Sequence, residues 1–141
     1  MILNGAFAGF IAVIAMTLLM RIAKKSGMMP AMFNLPLMMG SLVLGDGSSE
    51  AKRQAAGKSM HMAMGIVSGI VFVFLKGSGI FLVSGVLAQA VVLGIYLWLA
   101  MMLVMMPMMG QGIFMKKIGG KAPVLTLMLH LVFGVVLGLL A

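Results

Sequence analysis

Of 141 residues, 63% are hydrophobic and only 9% are charged, which excludes a water-soluble domain, because an aqueous surface needs far more polar cover. Ten cationic against two acidic side chains give a net charge of +8; these cations border apolar stretches, so they read as topology signals and headgroup contacts and not as a nucleic-acid interface. Cysteine is absent, which removes disulfides, thiolate metal sites and thiol nucleophiles.

In chain order, the first apolar stretch covers residues 2–22 and is interrupted only by Asn4, Thr17 and Arg21. It lacks a basic n-region and a small-residue cleavage site, so a retained helix is expected and not a signal peptide. Residues 23–58 form a long connection. Within it, Met28 to Met39 is apolar but broken by Pro30 and Pro36, too short and kinked to span, and is expected in the headgroup region or against a neighbouring protein. Asp46, Ser48, Ser49 and Glu50 offer capping groups, and a helix is predicted to begin near Ser49.

The second span is predicted over 59–75, between Lys58 and Lys76. The third covers 79–106, ending where Pro107 removes a donor. Residues 111–121, with Gly112, Gly119 and Gly120, read as an ordinary flexible connection. The fourth span is predicted over 123–141, with Pro123 suited to a first helical turn. A helix needs roughly 17–25 residues to cross the hydrocarbon, and the third stretch is long enough to tilt or project. A transmembrane barrel would need polar and apolar residues in alternation, whereas these segments are apolar on every side. The fold class expected is all-α: a polytopic membrane protein with four transmembrane helices arranged as two tandem hairpins, in a single domain.

Nine of the ten cations fall in or beside the first and third connections, and only Lys76 lies in the second. The positive-inside rule then puts both long connections in the cytoplasm and both termini on the other face of the inner membrane.

An internal repeat is also expected. His61, Gly65 and Gly69 match His130, Gly134 and Gly138 in spacing, and these are the only two histidines. Pro36 to Gly40 precedes His61 by about the interval at which Pro107 to Gly110 precedes His130. Spans one and three do not align without gaps. Units of 1–75 and 76–141 would form a parallel repeat about an axis along the membrane normal.

On a helix, residues at i, i+4 and i+8 drift by about 40° per step, so each histidine shares a face with its two glycines. The first reading of Gly65, Gly69, Gly134 and Gly138, and of Gly5 and Gly9 in span one, is close helix packing in lipid. For His61 and His130 the first reading is a hydrogen bond across a helix interface, with Ser68, Ser84, Gln89 and Thr126 available. The second is axial ligation of one haem from opposite sides, the glycines making room for the ring. A transport role is the third.

Methionine occurs 19 times. Met60, Met62 and Met64, and the stripe Met102, Met105, Met106 and Met109, offer thioethers to a soft cation such as Cu(I). The alternative is that they are flexible apolar filler. The only acids, Asp46 and Glu50, lie in a connection, which argues against a carboxylate proton relay within the spans and leaves no general acid–base set. Gly57, Lys58 and Ser59 resemble the end of a phosphate loop, but Lys52 stands where its first glycine is required.

Ala15 to Met20, Pro36 to Gly40, His61-x3-Gly65-x3-Gly69, Met105 to Gly110 and Leu129 to Gly134 together resemble an uncharacterised family of small four-span prokaryotic integral membrane proteins. The likeness covers nearly the whole chain, with Met-Met-Pro-Met-Met-Gly and His-x3-Gly its most specific parts. It implies the fold and no activity. The same likeness implies a further polar or histidine residue early in span three, where this chain has Gln89. The function expected is a non-enzymatic subunit packing against membrane lipids and other membrane proteins, in a respiratory or other redox complex. A haem-binding protein and a small transporter or copper carrier are the alternatives.

Overall fold

The computed structural model describes residues 1–141 and is all helical. Helix α1 covers Ile2–Lys25, α2 Leu35–Leu44 and α3 Glu50–Leu75. Helix α4 runs over Val86–Met108 and α5 over Ala122–Leu140. Four of the five, all but α2, are long and apolar enough to cross a membrane. Every peptide group in such a helix finds its partner within the segment, which is why lipid accepts it.

One boundary differs from the expectation. The third span begins at Val86 and not at residue 79, because Gly77, Gly79 and Gly85 take positive φ in the preceding turn. Gln89 fixes that turn: its Oε1 accepts from the Gly77 amide (3.0 Å) and its Nε2 donates to the Val83 carbonyl (3.0 Å). Helix α3 begins well before the lipid-length stretch, at Glu50. Ser49 is its N-cap and accepts from the Lys52 amide, as the capping residues suggested.

Helix α2 starts where the sequence shows only kinked apolar chain. Asn34 caps it, accepting from the Leu37 amide, and Pro36 sits in its first turn, where a missing N–H costs nothing. It lies on α3 with almost no gap. A methyl group at Gly57 would fall on the Pro36 carbonyl, and one at Gly40 on the Arg53 carbonyl. Arg53 ties the pair further, Nη1 donating to Ser41 Oγ (2.8 Å) and to Asp46 Oδ1 (3.0 Å).

The spanning helices pack in the order α3–α1–α5–α4. Lys76, after α3, donates to the carbonyl of Ala141 (2.7 Å), so the turn after α3 and the end of α5 share the end of the bundle away from the basic connections. Consecutive α3 and α4, joined by the short turn, do not form a tight pair. At the turn end Phe81 bridges them, with its ring 5.8 Å from Phe72 of α3 and 6.3 Å from Tyr96 of α4.

Two apolar clusters result. One, around Ala8, Ala12, Phe72, Ala90 and Leu137, fills the bundle; the other, around Phe33, Met39, Met102, Met106 and Met115, fills the basic end. The connection expected to be loose is packed: Met115, within the short 3-10 turn Ile113–Met115, is fully buried in the second cluster. The paired stretches Pro36 to Gly40 and Pro107 to Gly110 take different conformations. Pro36 opens α2 and Gly40 is helical inside it, whereas Pro107 lies in the last turn of α4 and Gly110 has φ +74° in the turn beyond.

Candidate functional site

The two histidine helices lie against α1 and α4 on their glycine faces. An added methyl at Gly5 would come within 2.6 Å of the Gly69 carbonyl oxygen, and one at Gly9 would strike that of Gly65. On the other side a methyl at Gly134 would lie 2.6 Å from the Ala90 carbonyl oxygen, and Gly138 rests on Ala90 and Leu87. Gly94 answers from α4, meeting the carbonyl of His130 itself. All six glycines are therefore filled by helix contacts. Gly65, four residues from His61, meets the Val13 side chain of α1 and also borders the opening between α3 and α4.

Between α3 and α4 lies a cavity of about 110 Å³, lined by both histidines. From α3 it takes His61, Met64 and Ser68, from α5 His130 and Phe133, and from α4 Leu97, Ala100, Met101 and Met105. Val13 and Met16 of α1 form its floor, and Leu35 and Met39 of α2 close its basic end. Met64 and Ala100 are exposed on the outside of the bundle, so the cavity opens sideways between their helices. It lies at mid-depth, since His130 is about 12 Å along α5 at 1.5 Å per residue.

His130 is positioned by its own helix. Its Nδ1 lies 2.7 Å from the Thr126 carbonyl oxygen. A carbonyl only accepts, so Nδ1 carries the proton and Nε2 is left without a donor role. Thr126 is itself secured: its hydroxyl donates back to the Ala122 and Pro123 carbonyls, and Trp98 Nε1 of α4 donates to the Pro123 carbonyl (3.1 Å) and the Thr126 hydroxyl (3.3 Å). The bond expected across a helix interface is thus made within α5. Gln89 is spent on the turn and Ser84 is exposed. His61 has no hydrogen bond within the chain from either ring nitrogen.

Methionine is distributed differently from the sequence groupings. Met60 packs toward the basic-end cluster, Met62 toward the bundle cluster, and Met64 alone of the three lines the cavity. The stripe divides likewise: Met102 and Met106 are fully buried in the basic end, while Met105 and Met109 line the cavity. Met101 joins them through a local distortion, a π-helical turn over Met101–Met105. Pro107 explains that turn, since its ring would clash with a carbonyl of a regular preceding turn. The wider turn offsets the α-helical drift and keeps Met101, Met105 and Met109 on one side of α4. Sequence reasoning named Pro107 and Met105 and missed this consequence. The available signal was the proline five and six residues after the Met101–Met102 pair.

The model of a family of unknown function, DUF6789, matches residues 1–141. The chain belongs to that family. No curated protein and no solved structure matches it. Membership agrees with a small protein of four membrane-length helices and assigns no activity to the cavity.

Proposed function

We propose that this member of DUF6789 is a non-enzymatic accessory subunit of a larger membrane assembly, seated against its partner through the open side between α3 and α4. One observation carries the reading. The α3–α1, α1–α5 and α5–α4 sides of the bundle are closed by helix packing, whereas the α3–α4 side is a methionine-lined slot. Flexible thioethers repack around whatever shape is offered, so a neighbouring transmembrane helix laid along the slot would complete the fourth side.

The polar inventory supports the same reading. Thr17, Gln89, Trp98 and Thr126 are engaged in holding backbone groups, and the only paired acid, Asp46, secures α2 through Arg53. A respiratory or other redox host accords with the two imidazoles. The positive-inside rule places the basic end, and α2 with it, on the cytoplasmic side of the inner membrane. The common spacing of the two histidine helices supports descent of the α1/α3 and α4/α5 pairs from one duplicated hairpin.

Photo-crosslinking in native membranes tests the subunit reading. A crosslinking residue at Val71 or Ala100, flanking the slot, should give a protein adduct of one discrete mass. The same probe on the outer faces of α1 (Phe7) and α5 (Val135) should give lipid adducts. Lipid adducts from all four positions would contradict it.

A second reading, ligand binding inside the slot, rests on the convergence of His61 and His130. A haem held by both would require α3 and α4 to part. A cavity of about 150 Å³ accommodates benzene, and this one is smaller. A single soft cation requires no such movement.

A further inference from the structure

We propose that the cavity between α3 and α4 is a binding site for one Cu(I) ion, with His130 Nε2 and the thioethers of Met101 and Met105 as the core ligands and His61 facing them. The proposal goes beyond the accessory-subunit reading and does not depend on it.

Three independent features converge on the same ion. The donor set is the first. Imidazole and thioether are soft or borderline, and thioether selects Cu(I) over the harder divalent metals. Neither carboxylate nor thiolate is available, because the chain has no cysteine and its two acids stand outside the cavity.

Charge is the second. The cost of transferring an ion from water to a low-dielectric interior grows with the square of its charge. A divalent ion among uncharged ligands at mid-membrane would pay about four times the penalty of a monovalent one, with no anion to offset it. Cu(I) satisfies that restriction and Zn(II) does not.

Orientation is the third. A metal-binding histidine characteristically donates its other ring N–H to a carbonyl or carboxylate, which fixes the ring and the tautomer. His130 does so at 2.7 Å to Thr126, and the Trp98 bonds hold that turn of α5 in place. The π-turn brings Met101 and Met105 to the same cavity, and such turns are concentrated at functional sites. Met109, one further step of about 6 Å along α4, extends the thioether row toward the basic end and supplies a path by which a soft ion reaches the imidazoles.

Cu(I) titration of the full chain in mild detergent, without oxygen and against a chromogenic Cu(I) chelator, tests the proposal. One equivalent per chain should be withdrawn from the chelator. H130A should weaken retention at least tenfold. The paired change M101L/M105L should do the same while leaving the thermal unfolding profile in place, because leucine preserves the volume and removes the sulfur. M60L/M62L, outside the cavity, should bind as the unaltered chain does. No withdrawal from the chelator, equal binding by M101L/M105L, or equal retention of Zn(II) would each overturn the site. A crosslinked partner at Val71 or Ala100 would still stand in any of those cases.

Discussion

Helix α3 presents two faces that share a solvent and differ in residue size. Toward α1 it offers Gly65 and Gly69, which lie against the backbone of Gly5 and Gly9 and the side chain of Val13. Toward α4 it offers His61, Met64 and Ser68, and a cavity remains. Lipid tails are as apolar as leucine, so neither face is driven together by exclusion from water. Close approach of peptide groups is what joins helices here. Where bulk replaces glycine, the same apolar composition leaves a space.

The comparison can be broken at its tight side first. Gly134→Leu places a large side chain against the Ala90 carbonyl and should separate α5 from α4 at a cost of about 3 kcal/mol or more. Thermal unfolding in detergent would register this as a large fall in midpoint. Gly57→Ala attacks a different contact. Its methyl group meets the Pro36 carbonyl, so α2 should lift from α3 at about 1–3 kcal/mol, and limited proteolysis should cut residues 26–49 faster while the four long helices persist.

On the loose side the same kind of measurement should register little. Met105→Leu changes shape and not volume, and its effect on stability should stay below about 1.5 kcal/mol. Smallest of all is Asp46→Asn. The Arg53–Asp46 pair has an aspartate side chain 89% exposed, so its loss should cost about 0.2–1 kcal/mol and fade with added salt. A Met105→Leu midpoint that fell as far as that of Gly134→Leu would erase the distinction between seam and slot.

Much of the architecture was legible in the sequence because lipid imposes a simple rule: about twenty apolar residues must be helical to satisfy their own backbone. Four such stretches, a cap at Ser49 and prolines near the ends of spans announce themselves by composition alone. The start of α4 was misplaced because Gly79 to Gly85 is as apolar as a helix, and only positive φ angles at its glycines distinguish it. Helix α2 was hidden for the opposite reason, since Pro30 and Pro36 suggest breakage although Pro36 sits in a first turn.

The site was half legible. Two histidines with matching glycines pointed to His61 and His130, and the structure brings both to one cavity. Sequence proximity does not tell these methionines apart, since Met60 packs toward the basic-end cluster and Met62 toward the bundle cluster. Met16, Met39 and Met101 come to the cavity from three separate helices. Such convergence is set by the order α3–α1–α5–α4, which no local pattern encodes. Gly40 and Gly57 were likewise unreadable as a pair, because their contact depends on α2 folding back over α3.

Magic-angle-spinning NMR of the labelled protein in lipid bilayers tests the shared cavity most directly. Nitrogen-15 spectra should show the His130 proton on Nδ1, bonded to a carbonyl, with Nε2 unprotonated. Carbon correlations should connect both imidazole rings to the methyl groups of Met101 and Met105. A proton on Nε2 of His130 with Nδ1 bare, or methionine contacts to neither ring, would contradict the arrangement.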